Sequence, residues 1–260
     1  MSRHVLDDRM IAGLHLVALR SNGHDHEVAH AHVAAQVGTI GALLDANYDG
    51  SMTLEELLSR GDLGIGTTDG LGGELLVVDG ALYLADADGN ISSPPKSATT
   101  PFAVVCPEEP FVQFPCHGDR GSIEAAIVEA GAGRSVLAVR IDGFFEVVSL
   151  RSVERQTKPY PPLAEAVAHQ HTFSCEATEG TVVGFCFPDA LAGIEVPGFH
   201  LHFLNEQHTR GGHVMEYVLR EGVVQLTEVD DLHVELPSGV DLGTPGDGDR
   251  ETIRSVEGGA

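Results

Sequence analysis

The stretch from Gly198 to Val214, GFHLHFLNEQHTRGGHV, constrains this chain more than any other. Residues two apart on a strand point to one face, so His200 and His202 stand together while Phe199, Leu201 and Phe203 face the opposite way into a core. A polar, glycine-containing connection then lets the chain return antiparallel and bring His213 alongside. Three neutral nitrogens with a fourth position open are the ligand set of a catalytic Zn²⁺ site, whereas a structural zinc closes its shell with four ligands, commonly including thiolates. A His-x-His pair alone is more often hydrogen-bonded than metal-bound. The apolar alternation behind it and the third histidine point to a metal. His208, within the connection, lacks a strand pattern and reads as solvated.

The chain has 260 residues, enough to bury a substantial core as one large domain or two modest ones. Its 39 acidic and 15 basic residues give a formal charge of −24, which repels nucleic acid and anionic lipid. An anionic substrate would be repelled too, so its site must supply local positive charge, as a metal and an arginine do. Cys106, Cys116, Cys175 and Cys186 show no Cys-x-x-Cys spacing and read as thiols of a reducing compartment. No apolar run reaches membrane-spanning length, and Met10 to Leu19 is short and preceded by Asp7 and Asp8, so a cytoplasmic protein is expected. A start site misplaced near Met10, hiding an export signal, is the exception.

Residues 1–35 crowd His24, His26, His30 and His32 without strand alternation and read as a flexible extension. Order is expected from Gln36, where VGTIGALL leads to a turn at Tyr48-Asp49-Gly50 and Thr53 to Glu56 forms a capping box opening a short helix to Arg60. Glu74 to Val78 and Ala81 to Ala85 flank Asp79-Gly80, a hairpin signal. Ser122 to Ala130 has helix spacing and ends at Gly131, after which two strands are expected around Asp142-Gly143. KPYPPLAEAV, from Lys158, suits a crossover between two sheet systems. Beyond it, Phe173 to Ala177, Thr181 to Phe187, Phe199 to Leu204, Val214 to Leu219 and Val223 to Val229 read as strands of an antiparallel sheet or small barrel. The expected fold is α+β and β-rich: a mixed-sheet domain over 36–157 and an antiparallel, barrel-like domain with a tail over 158–260.

Glu74 opens a strand directly after Gly70-Leu71-Gly72-Gly73, where backbone can approach a ligand closely. On local sequence alone it reads as an exposed strand-end carboxylate. That loop lacks the Lys-Ser/Thr ending of a phosphate cradle, so nucleotide cofactors are not indicated. Arg151 is expected on the strand face of Phe145, Val147 and Ser149, where its guanidinium can hold a carboxylate through two parallel hydrogen bonds or form a plain salt bridge. Glu251 and Glu257 lie in a polar tail that local sequence places in solvent.

As a set, GIGTTDGLGGELLVVDG, TPFAVV, RIDGFFEVVSLRSV, QTKPYPPL and GFHLHFLNEQHTRGGHV resemble the α-acetolactate decarboxylase family, from about Gln36 to the C-terminal tail. The resemblance implies a homodimer of two-domain subunits with a mononuclear zinc site on His200, His202 and His213. It implies catalytic roles for Glu74, for Arg151 and for a tail glutamate, Glu257 before Glu251. Thr68, Gly72 and the stretch Cys106 to Pro110 depart from the family pattern around the Glu74 loop, which leaves substrate scope open; none removes a metal ligand.

The implied reaction is decarboxylation of a 2-hydroxy-3-keto acid, 2-acetolactate, to acetoin. Loss of CO₂ sends electrons onto the ketone oxygen, giving an enediolate whose charge a Lewis-acidic Zn²⁺ stabilises by on the order of several kcal/mol. Arg151 would orient the carboxylate and Glu74, with Glu257 assisting, would deliver the proton to one face. Two other readings are consistent with the histidines: a cupin-like metal-dependent oxygenase or isomerase, and a non-enzymatic metal-binding protein with a closed ion.

Overall fold

The structure is a computed structural model, and it describes residues 5–11, 13–20, 32–237, 240 and 252–253. In chain order the strands are β1 (Val5–Ile11), β2 (Leu14–Arg20), β3 (Val33–Val37), β4 (Met52–Thr53), β5 (Leu63–Thr67), β6 (Glu74–Val78), β7 (Ala81–Ala85) and β8 (Ile91–Ser92). They continue as β9 (Thr99–Thr100), β10 (Ala103–Cys106), β11 (Val112–Asp119), β12 (Val136–Ser152), β13 (His171–Phe187), β14 (Gly198–Asn205), β15 (Gly211–Val229) and β16 (Asp231–Leu236). The helices are α1 (Ile40–Leu44), α2 (Leu54–Leu58), α3 (Arg120–Ala130) and α4 (Leu163–Val167).

Among the described residues a nine-stranded mixed sheet runs β1-β2-β16-β3-β10-β5-β6-β7-β8, with β16 parallel to both β2 and β3. A five-stranded antiparallel sheet runs β11-β15-β12-β13-β14, and β14 also pairs with β15. Strands β3, β5 and β10 are buried at every residue, as strands covered on both faces must be. Their alternate residues divide accordingly. Ala34, Ile65 and Val104 pack with Val183, Phe185 and Leu204 of the second sheet. Ala35, Val37, Ala103 and Val105 pack with Leu54 and Leu57 of α2. The far face of the second sheet closes on Ile123 and Ile127 of α3, with Phe145, Leu201, Phe203 and Tyr217. Each fully buried Leu or Phe contributes about 1.5–3 kcal/mol of transfer free energy, and this layering fixes which strand faces meet.

Several expected elements hold. The Asp79-Gly80 turn joins β6 to β7 with positive φ at both residues, 51° and 69°, as a type I′ hairpin needs. Helix α2 begins with the full Thr53–Glu56 capping box, and α3 ends at Gly131.

Other expectations are corrected. Residues 1–35 are not strandless: Val5–Ile11 and Leu14–Arg20 form a hairpin on the edge of the large sheet, while His24, His26 and His30 lie outside the described residues. The sheets do not divide at residue 157, because β16 returns from the C-terminal part to sit between β2 and β3, and β11 and β12 belong to the second sheet. Segments 136–152, 171–187 and 211–229 are single long strands rather than pairs. Their glycines mark close approach, not turns: Gly143 pairs with both Gly180 and Gly222, and a Cβ on Gly143 would lie 2.4 Å from the Glu221 carbonyl oxygen. The 158–170 segment joins β12 to its antiparallel neighbour β13 in the same sheet, so it is no crossover. It carries α4 against α1, where Leu163 and Ala166 pack with Ile40 and Leu43.

Candidate active site

The local sequence of β14 sends Leu201 and Phe203 to the α3 side and Leu204 to the layer between the sheets. His200 and His202 share the face of Leu204, so period-two geometry puts them in that inter-sheet layer. His213 on β15 is the direct cross-strand partner of His202, and its neighbour Val214 faces the α3 core. The three rings lie 5.1 to 5.5 Å apart between centroids, and one ligand atom from each falls within 4.8 Å of the others. All three are buried, at 5, 1 and 3 % exposure. The hairpin drawn from the sequence therefore assembles the trio as expected. His208 is exposed, its ring edge-on to Tyr83.

Burial first, then the Arg151 and Arg120 guanidinium charges, lowers the His200 pKa to about 3. His202 and His213 are likewise held well below the usual range, by burial first and then by neighbouring positive groups. All three imidazoles are consequently neutral at pH 7, the form that donates a lone pair to a metal. Nδ1 of His202 lies 2.9 Å from the Leu75 carbonyl oxygen. A carbonyl only accepts, so Nδ1 carries the proton and Nε2 presents a lone pair. Among the described residues that Nε2, and Nδ1 of His200, are buried without a hydrogen-bond partner. Burying such groups unpaired costs about 1–3 kcal/mol each. Two partnerless buried ring nitrogens and a third imidazole within ligand distance fit a divalent cation.

Glu74 opens β6 after a turn with positive φ at Gly70, Leu71 and Gly73, and its Oε2 lies 3.3 Å from His202 Nε2. The contact is close but not aligned as a hydrogen bond, since His202 Nε2 has no such partner. Two lone-pair atoms at that separation repel unless a proton or a cation lies between them. A Cβ on Gly73 would stand 2.2 Å from the Ala85 carbonyl oxygen, so glycine is what lets the turn deliver Glu74 there. Glu74 is only 13 % exposed in its side chain, unlike a solvated strand end.

Arg151 reaches the site by a different device than expected. Along β12, Leu137, Val139, Ile141 and Phe145 face the α3 core, but after Phe145 the core residues become Val148 and Leu150. Register irregularities between Phe144 and Val147 produce this switch. Arg151 is thus on the face opposite Phe145, not the same one, and lies across from His213 at 5 % exposure. Without the irregularity the guanidinium would enter an apolar core.

Among the described residues, Glu74, Arg151, His200 and His202 line one pocket together with Thr67, Gly66 and seven apolar side chains. Glu251 and Glu257 lie outside the described residues, but Ile253 is fully buried in a cluster with the pocket-lining Leu71, Phe102 and Leu163. Four contributors were missed at the level of sequence. Thr67 donates its hydroxyl to the Gly73 carbonyl at 2.8 Å and shapes the Glu74 turn. The Leu75 carbonyl orients His202, and Arg120 holds the Val214 and Met215 carbonyls beside His213. Helix α4 supplies Leu163 and Val167 to the wall. Only Thr67, next to the glycine loop, carried a local signal.

Residues 35–243 match the family model for alpha-acetolactate decarboxylase. A protein of that name from Methylococcus capsulatus is 39 % identical over 216 residues, covering 82 % of this chain and 83 % of its own. One from Bacillus subtilis strain 168 is 38 % identical over 210 residues, covering 80 and 82 %. The fold is similar to the crystal structure of alpha-acetolactate decarboxylase from Bacillus subtilis strain 168, with a TM-score of 0.82 at 35 % identity, covering 87 % of this chain and 99 % of that one.

Proposed function

This chain belongs to the alpha-acetolactate decarboxylase family, and from that premise we propose that it is a carboxy-lyase converting 2-acetolactate to acetoin and CO₂. The observation that carries the reading is the cluster of three neutral, buried imidazoles, two of which line one pocket with Glu74 and Arg151. We assign His200, His202 and His213 to a zinc ion, for which neutral nitrogen donors with an open fourth position are suited. When bound, the metal supplies Lewis-acid stabilisation of the charge that develops on the substrate's ketone oxygen.

The protein's own groups do the rest. Arg151, fixed on β12, pairs its planar fork with the substrate carboxylate and holds the carboxylate bond out of plane of the adjacent ketone, the geometry from which CO₂ leaves. The positive charge of Arg151 offsets locally the long-range repulsion that a charge of −24 exerts on an anionic substrate. The apolar wall excludes water, which strengthens each of these interactions. Glu74, placed at the pocket by its strained turn, gives its proton to the carbon that lost CO₂, and its fixed position selects the face protonated. Glu257 assists from the tail, a role supported by the burial of Ile253 against the pocket wall. The β15-β12-β13-β14 ring closed by the His202–His213 pairing supports a barrel-like second domain. A homodimer and a cytoplasmic setting complete the proposal; no described helix is long and apolar enough to cross a membrane.

Purified protein incubated with racemic 2-acetolactate tests the activity. Equimolar CO₂ and acetoin without oxygen uptake are expected; oxygen consumption would favour a cupin-like oxygenase, and no turnover a purely metal-binding protein.

A further inference from the structure

The pocket is divided by chemistry in a way that follows its construction. Among the described residues, every polar side chain in it comes from a strand: Thr67 from β5, Glu74 from β6, Arg151 from β12, and His200 and His202 from β14. Among the described residues two helices reach it and contribute apolar side chains, Ile40 and Leu43 from α1, Leu163 and Val167 from α4. Ile40, Leu43 and Leu163 are buried and belong to one apolar cluster, with Val167 packed against it and only partly buried.

Helix α4 is held in place from both ends of its approach. Tyr48 donates its hydroxyl to the Pro161 carbonyl at 2.9 Å, and Asp49 takes Lys158 at 2.6 Å and the Tyr160 hydroxyl at 3.1 Å. The Gln156 amide donates to the Gly70 carbonyl at 2.6 Å, joining the same segment to the Glu74 turn. The helical wall is therefore fixed relative to the polar strands that hold the reacting groups.

A 2-hydroxy-3-keto acid has the matching division: carboxylate, hydroxyl and ketone at one end, alkyl groups at the other. With the carboxylate, hydroxyl and ketone on the strand side, the alkyl groups are left facing the helices. We propose that the α1–α4 wall, through Leu163 and Val167, is the determinant of alkyl length in this enzyme. The inference rests on the decarboxylase reading above and adds the residues that set its acyl range. In an apolar pocket one methylene is worth about 10- to 200-fold in kcat/KM, enough for a single side chain to shift preference between homologues.

The test compares 2-acetolactate with its homologue carrying ethyl in place of methyl on C2, using the zinc-loaded full-length protein. Val167→Ala should raise the ethyl-to-methyl ratio of kcat/KM by about tenfold, and Val167→Phe should lower it by a similar factor. Because Val167 is only partly buried, both variants are expected to fold, and their circular dichroism and melting curves check this. Leu163→Ala should move the ratio in the same direction as Val167→Ala. Turnover of both substrates at an unchanged ratio in all three variants would overturn the inference while leaving the decarboxylase reading intact. No turnover of either substrate by the unaltered protein would overturn both.

Discussion

Oε2 of Glu74 lies 3.3 Å from Nε2 of His202, while the opposite ring nitrogen of that histidine is engaged by the Leu75 carbonyl. One backbone carbonyl thus selects the tautomer that turns a lone pair toward both the carboxylate and the neighbouring rings of His200 and His213. Glu74 and Leu75 are the first two residues of β6, so one strand presents the carboxylate and orients the His202 ring with consecutive residues.

Glu74→Gln keeps size and polarity but removes the transferable proton. Metal content should be unchanged and kcat should fall by about 10²- to 10⁴-fold, the usual scale of general acid catalysis. Metal analysis alongside acetoin formation, with chiral chromatography of the product, checks this; unchanged rate and enantiomeric purity would remove Glu74 from proton transfer.

Arg151→Lys retains positive charge but loses the fork. A charged hydrogen bond contributes about 1.5–3 kcal/mol, so kcat/KM should drop by roughly ten- to a hundredfold. Steady-state kinetics with metal content held constant decides it. A variant as efficient as the parent would mean that the guanidinium does not grip the carboxylate.

Gly143→Val tests the meaning of the glycines that cross β15, β12 and β13. A Cβ there meets the Glu221 carbonyl and the Gly222 Cα, both backbone, so the strands must separate. Stability should fall by about 1–3 kcal/mol or more, read as a lower urea midpoint. A turn at Asp142-Gly143 would instead tolerate the change.

Two hydrogen bonds from Thr53, first from its hydroxyl and then from its backbone amide, hold the exposed Glu56 carboxyl below its ordinary pKa of 4.5. A depressed carboxylate contributes stability above its unfolded pKa and loses it as pH falls through the folded value. Glu56→Ala should therefore cost about 0.5–1 kcal/mol at pH 7, with the gap narrowing as pH drops below 4.5. Urea titrations at pH 7 and pH 3.5 measure it; a gap that does not depend on pH would assign the loss to helix propensity alone.

Local sequence disclosed the parts of the site that obey short-range rules. His200 and His202 follow period-two alternation, His213 follows hairpin distance, and the turn residues Asp79 and Gly80 follow from φ. Arg151 was legible as a candidate but not in its orientation, because a register irregularity has no fixed residue signature and reverses every side chain after it. Gly143, Gly180 and Gly222 read as turns because closeness of backbones and a change of direction both select glycine. Strand β16 and the β1–β2 hairpin escaped because pairing between chain ends is decided by tertiary burial. The glycine loop before it marked Glu74 as a candidate, but its strand-end position alone reads as solvent-exposed, and only resemblance to a family gave it a catalytic role.

Metal stoichiometry paired with turnover tests the central claim most directly. The purified protein should bind one zinc per chain, lose acetoin formation on chelation and regain it when zinc is restored, while His213→Ala should lose both metal and activity. Full decarboxylation of 2-acetolactate by metal-free protein, or undiminished zinc binding and turnover in His213→Ala, would contradict it.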